Sequence, residues 1–125
     1  ACGDSDTTTR VLAGRNLAGY VGVDRSVDAL KAAEANVAKL GVPTAFATGD
    51  FVEFLESGTD SFDAIYVGLS AHHLDDAGLA RLFAGVRRRL APEGLFAAFE
   101  PFSLPDETRA EHHERFCAIT RQLWL

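Results

Sequence analysis

Ala1-Cys2-Gly3-Asp4-Ser5-Asp6-Thr7, followed by Tyr20-Val21-Gly22-Val23-Asp24, is the stretch that decides the reading of this chain. Asp24 stands 21 positions after Gly3. A glycine turn, a helix, a short strand and a strand-end acid about 20 residues on is the layout that holds an adenosine ribose at the edge of a parallel sheet. The turn lets a ligand approach the backbone, and the acid accepts hydrogen bonds from two ribose hydroxyls.

Outward from that stretch, strands alternate with helices. Thr7 to Leu17 reads as a helix entered through Asp4, Ser5 or Asp6, all good caps. Gly19 to Asp24 is a strand. Ser26 caps the next helix, whose Val27, Leu30, Ala33, Val37 and Leu40 follow a helical period before Gly41 and Pro43 end it. Thr44 to Thr48 is a second strand, closed by Gly49-Asp50, and Phe51 to Glu56 a short helix. Phe62 to Leu69 is a third strand, apolar enough to predict burial on both faces. Asp75 caps a helix carrying Leu79, Leu82, Phe83, Val86 and Leu90. Pro92-Glu93-Gly94 is a turn, Leu95 to Glu100 a fourth strand, and about Asp106 to Leu125 a final helix. This order predicts right-handed βαβ units in an α/β, Rossmann-like three-layer sandwich: a mostly parallel sheet with helices on both faces. Ligands in such sheets sit beyond the carboxyl ends of the strands, here Gly3, Asp24, Asp50, Leu69-Ser70 and Glu100.

Composition narrows the partners. At 125 residues the chain is one domain or a piece of one, and its 47% hydrophobic content suits a globular core. A net charge of −6 argues against non-specific nucleic-acid binding. The basic run Arg87-Arg88-Arg89 complements the end of a helix. No apolar run reaches the roughly 20 residues of a membrane span. Two cysteines, Cys2 and Cys117, form no disulfide framework, so a cytoplasmic location is expected. His113 and Cys117 share a helix face beside His112, but no second cluster completes a metal tetrahedron, and no metal is expected.

Loop chemistry separates the candidate ligands. A dinucleotide loop needs Gly-x-Gly-x-x-Gly, and in that register the chain has Ala1, Gly3 and Asp6, with Asp4 beside them. Carboxylates a few ångströms from a pyrophosphate in a partly dry cleft cost about a few kcal/mol. S-adenosylmethionine carries a sulfonium and an ammonium instead, which acids favour.

Here the chain resembles the class I S-adenosylmethionine-dependent methyltransferases, from Ala1 to about Phe102. Ala1-Cys2-Gly3-Asp4-Ser5 looks like that family's glycine loop, with Ala1 and Ser5 in place of two common glycines. Val21-Gly22-Val23-Asp24 looks like its second-strand ending, and Thr48-Gly49-Asp50-Phe51 like its third. Phe62 to Leu74 looks like its fourth strand and following turn, and Leu90-Ala91-Pro92-Glu93-Gly94-Leu95-Phe96 like the lead into its fifth. The resemblance implies S-adenosyl-L-methionine as cofactor. Ala1, Cys2, Gly3 and Asp4 would form the loop, Asp24 would take the ribose hydroxyls, Asp50 with Phe51 would hold the adenine, and Arg25 would also border the cofactor. Gly68 and Leu69 would lie under the cofactor. His73 and Glu100 are the candidate catalytic residues, and His72 could also face substrate. Tyr66, Phe102 and Trp124 are candidates to line an acceptor pocket.

The expected function is methyl transfer to a small-molecule acceptor. A non-catalytic cofactor- or partner-binding domain, and an NAD-dependent oxidoreductase, are the alternatives. Family topology puts a first strand between those ending at Asp24 and Leu69. That strand and the last strands are absent from these residues, so the chain reads as a partial domain, with the gap filled by residues upstream of Ala1 or by another segment.

Overall fold

The structure is a computed structural model that describes residues 1–101 and 103–124, without the side chains of 120 and 122–124. In order, its elements are α1 (Asp6–Leu12), β1 (Tyr20–Asp24), α2 (Val27–Val37) with a 3₁₀ turn at Ala38–Leu40, and β2 (Thr44–Thr48). There follow α3 (Phe51–Ser57), β3 (Phe62–Gly68), a 3₁₀ turn at Ala71–His73, α4 (Asp76–Arg89), β4 (Leu90–Phe99) and α5 (Arg109–Trp124). The fold is α/β and Rossmann-like.

Sequence explains most boundaries. The Ser26 hydroxyl caps α2 by accepting from the Ala29 N–H, and Gly41, at φ 67°, closes its 3₁₀ extension. Asp50 caps α3 and Asp75 caps α4 through their carboxylates. The first helix is shorter than predicted: it stops at Leu12, and Gly14 follows at φ 74°, a left-handed conformation that a helix interior does not accept. Leu90 also forms a strand bridge rather than the helix end.

Both strand pairs are parallel. Tyr20 to Asp24 pairs in register with Thr44 to Thr48, so Asp24 and Thr48 end together. Ala64 to Gly68 pairs with Leu95 to Phe99, so Gly68 and Phe99 end together. Phe62 pairs with Leu90, and the residues between Leu90 and Leu95 loop out of the ladder. That loop is the predicted Pro92-Glu93-Gly94 turn, with Glu93 at φ 65°. Among the described residues the strands form two two-stranded sheets, β1–β2 and β3–β4, rather than one ladder.

Two cores result. Leu30, Ala33 and Val37 of α2 are buried against β1 and β2. Val52 and Leu55 of α3, Val67 of β3, Ala71, and Leu82 and Val86 of α4 form the second, with Phe51, Ile65, Leu74, Leu79 and Phe96 around it. Each fully buried Val or Leu contributes about 1.5–3 kcal/mol. The prediction that β3 is buried on both faces does not hold. Ile65 and Val67 pack inward, whereas Ala64 and Tyr66 are exposed on the opposite side, which no described helix covers.

Arg89 does more than complement the end of its helix. Its side chain is buried, with the guanidinium over the rings of Phe54 and Phe62, 5.3 and 5.1 Å from their centroids. It donates to the carbonyls of Phe54, at 3.1 Å, and Asp60. This locks the α3–β3 loop to the end of α4.

Candidate functional site

The paired strand ends build the site. Asp24 closes β1, and its carboxylate ties two segments together. Oδ2 accepts the Gly3 N–H and Oδ1 the Ser26 N–H, both at 2.9 Å. Burial alone would raise this carboxyl, but the N–H groups of Ser26, Gly3 and Arg25 help to outweigh it, so Asp24 sits below its ordinary range and is ionised at neutral pH. A carboxylate offers about four acceptor positions, so about two remain for other donors. Cys2 extends the tie, its N–H donating to the Val23 carbonyl at 2.8 Å. Gly3 has φ 54°, and a Cβ built there would meet nothing within 4 Å, so the loop backbone borders open space.

Ser5 stands where the resembled loop has a glycine and adopts a glycine-like conformation, φ 56° and ψ 16°. Its hydroxyl is turned inward, 2.9 Å from the Tyr20 hydroxyl and 3.3 Å from the Cys2 carbonyl. Asp4 is exposed. Its Oδ1 accepts the Asp6 N–H at 3.1 Å, and its carbonyl accepts from Asn36 Nδ2 at 3.0 Å.

Asp50 lies beside Asp24 at the end of β2, and the Gly49 N–H donates to the Asp24 carbonyl at 2.9 Å. Asp50 Oδ1 caps α3 by accepting from Val52 and Glu53, while Oδ2 meets Arg25 Nη2 at 2.5 Å. Burial would raise Asp50 too, but the α3 N–H groups and Arg25 hold it below the ordinary carboxylate range. About one acceptor position remains on Asp50. Phe51 opens α3 and packs against the second core. Arg25 and Asp50 share a cleft of about 510 Å³ with His73, Leu74, Asp75 and Arg81, which brings the ends of β2 and β3 to one place.

The β3 end is a held turn. Gly68 leads into Leu69, which has φ 51° and is 41% exposed. A left-handed leucine costs about 1–2 kcal/mol and persists only when its surroundings impose it. The Leu69 N–H donates to the Phe99 carbonyl at 2.8 Å. Glu100 grips the backbone of residues 70–72. Its Oε1 accepts the N–H groups of Ser70 and Ala71 at 2.9 and 2.8 Å. Its Oε2 accepts the His72 N–H at 3.3 Å and lies 2.8 Å from His72 Nδ1. The Glu100 side chain is 0% exposed and its acceptor positions are filled from within the protein. His73 is exposed, its ring 4.0 Å from that of His72.

The structure therefore gathers Gly3, Asp24, Arg25, Asp50, Leu69, His73 and Glu100 at the carboxyl ends of the strands. Cys2 is half-buried beneath the loop, and burial pushes its thiol up. Phe102 and the side chain of Trp124 lie outside the described residues. The link from Glu100 to His72 was missed in the sequence, although parallel alignment of the two strands already placed residue 100 beside residues 69–70. Among the described residues no group of three His, Cys, Asp or Glu side chains could hold a metal, and no helix is long and apolar enough to cross a membrane.

A methyltransferase-domain family model matches residues 1–94. The chain is 33% identical over 96 residues to an uncharacterized methyltransferase, sll0829, of Synechocystis sp., an alignment covering 77% of this chain and 42% of that protein. Its fold is similar to that of a precorrin 8W decarboxylase, the MT0146 product of Methanobacterium thermoautotrophicum. The TM-score is 0.59 at 22% identity, covering 98% of this chain and 59% of that one. The chain thus spans less than two thirds of either relative. With a family model matched over most of its length and the strand ends arranged as above, the chain belongs to the methyltransferase-domain family, in its class I, S-adenosylmethionine type.

Proposed function

We propose that the chain binds S-adenosyl-L-methionine and transfers its methyl group to a small-molecule acceptor. The observation that carries this reading is Asp24, an ionised carboxylate at a strand end, with about two acceptor positions unused and the open Gly3 turn beside it. Those positions suit the two hydroxyls of a ribose. The remaining Asp50 position suits an exocyclic amine, and the exposed Leu69 offers an apolar surface. The acidic loop supports a cationic ligand over a pyrophosphate. Asp4 takes the Asp6 N–H at the start of α1, a donor that a phosphate would need.

The cofactor supplies a methyl on a sulfonium, already a good leaving group. The site residues bind and orient: Asp24 and Gly3 at the sugar, Asp50 at the base, Leu69 beneath. Alignment of that kind accounts for much of the acceleration in such transfers. The net charge of −6 supports a small acceptor over a nucleic acid. The test is transfer of a labelled methyl from S-adenosylmethionine to a panel of small hydroxyl, amine and thiol compounds. Turnover of one class supports the reading. Cofactor binding without turnover of any class would favour a binding-only domain.

A further inference from the structure

The turn after β3 holds a pair of side chains that cofactor binding leaves unused. His72 Nδ1 lies 2.8 Å from Oε2 of the fully buried Glu100. Glu100 is anionic at neutral pH: burial would raise its carboxyl, and the His72 ring with the N–H groups of Ser70, Ala71 and His72 more than offsets that. A carboxylate can only accept, so a neutral His72 carries its proton on Nδ1 and leaves Nε2 bare. The His72 side chain is 32% exposed, so Nε2 belongs to a ring that solutes can reach. The ring rests on that of His73, which lines the cleft shared with Arg25 and Asp50. A buried carboxylate on one nitrogen and an accessible second nitrogen is the arrangement that fixes an imidazole as a base.

We propose that His72 is the general base of this domain, with Glu100 as its positioning residue, and that the acceptor presents a hydroxyl nucleophile. The proposal rests on the methyltransferase reading above. A thiol ionises near neutral pH, and a weakly basic aromatic nitrogen attacks through a free lone pair. A hydroxyl, with a pKa near 10 even when phenolic, must lose its proton as it attacks, and gains most from a base. In the step, the acceptor oxygen bonds the methyl carbon as the carbon–sulfur bond breaks and its electron pair stays on sulfur. The hydroxyl proton passes to His72 Nε2. The imidazolium so formed is balanced by Glu100 and returns its proton to water. Among the described residues, the titratable side chains in contact with His72 are Glu100 and His73, and the Glu100 charge in turn acts on Tyr66. Burial, and then the Glu100 charge, push the Tyr66 phenol up, so it stays protonated and does not compete as base.

The first test needs no substrate. Nitrogen NMR of the ¹⁵N-histidine-labelled full chain should show neutral His72 protonated on Nδ1. Glu100→Gln should mix the tautomers, and should that variant fail to fold, the wild-type tautomer decides. A His72 protonated on Nε2 overturns the proposal. The second test compares wild type with His72→Ala on small phenols and on pyridines, whose ring nitrogen carries no proton at neutral pH. The expected result is a kcat lower by about 100-fold or more for phenols only, with S-adenosylmethionine affinity unchanged and activity restored by added imidazole. Equal kcat values on phenols overturn the base role and leave the methyltransferase reading standing. Turnover of pyridines alone overturns the hydroxyl class. Absence of S-adenosylmethionine binding to wild type overturns both readings.

Discussion

The Gly3 N–H donates to Oδ2 of Asp24 at 2.9 Å, across 21 residues, so the loop and the β1 end are one unit. Because the second oxygen holds Ser26 at the start of α2, one carboxylate fixes both the turn that borders open space and the helix behind it. Asp24→Ala is expected to weaken S-adenosylmethionine binding by about 1–3 kcal/mol, from lost charge-assisted hydrogen bonds. Titration calorimetry on both proteins checks this, and unchanged affinity would remove the ribose assignment.

Ser5 separates conformational strain from hydrogen bonding. Its left-handed backbone costs about 1–2 kcal/mol relative to glycine, while its hydroxyl meets Tyr20. Ser5→Ala keeps the strain and loses the bond, so it is expected to destabilise by about 1–2 kcal/mol. Ser5→Gly loses the bond but relieves the strain, and is expected to cost less. Urea denaturation of the two variants gives the order, and an alanine variant more stable than the glycine one would contradict it.

Arg89 is expected to be the most sensitive charged residue outside the site. Arg89→Ala leaves the Phe54 and Asp60 carbonyls without this donor and opens space between two rings, at an expected cost of about 3–5 kcal/mol. Arg89→Lys should recover only part of this, since a single ammonium lacks the planar fork that reaches both carbonyls. Chemical denaturation of both variants measures the difference.

Acid should act through the same carboxylates that build the site. Asp24 and Asp50 lie below their ordinary 3.8, and Glu100 below its ordinary 4.5. A depressed carboxyl contributes stability that is complete above its unfolded value and is lost as pH falls through its folded one. Unfolding free energy is therefore expected to be level with respect to these groups above about pH 5 and to fall below about pH 4. Glu107, held at about 2 chiefly by Arg115, adds a further loss as pH falls toward that value. Denaturation at a series of pH values tests the sign, and stability rising on acidification across that window would refute it.

The strand–helix order was legible because apolar periods and caps such as Ser26, Asp50 and Asp75 act locally. So was the cluster of polar residues at strand ends, since parallel pairing brings those ends together. The end of α1 was not: the backbone leaves the helix at Ala13, ψ 131°, ahead of the left-handed Gly14, where the pattern allowed a helix through Leu17. The exposure of Tyr66 was hidden because an apolar run does not say which of its faces will be covered. Arg89 read only as a complement to the helix end because its partners, Phe54, Asp60 and Phe62, lie about 30 residues away and meet it only after α3 and α4 pack. The grip of Glu100 on Ser70, Ala71 and His72 is long-range in the same way.

Calorimetric titration of the full chain with S-adenosylmethionine, and separately with NAD, tests the central claim most directly. Saturable binding of S-adenosylmethionine and none of NAD is expected. NAD binding with no S-adenosylmethionine binding at high micromolar concentration would contradict it.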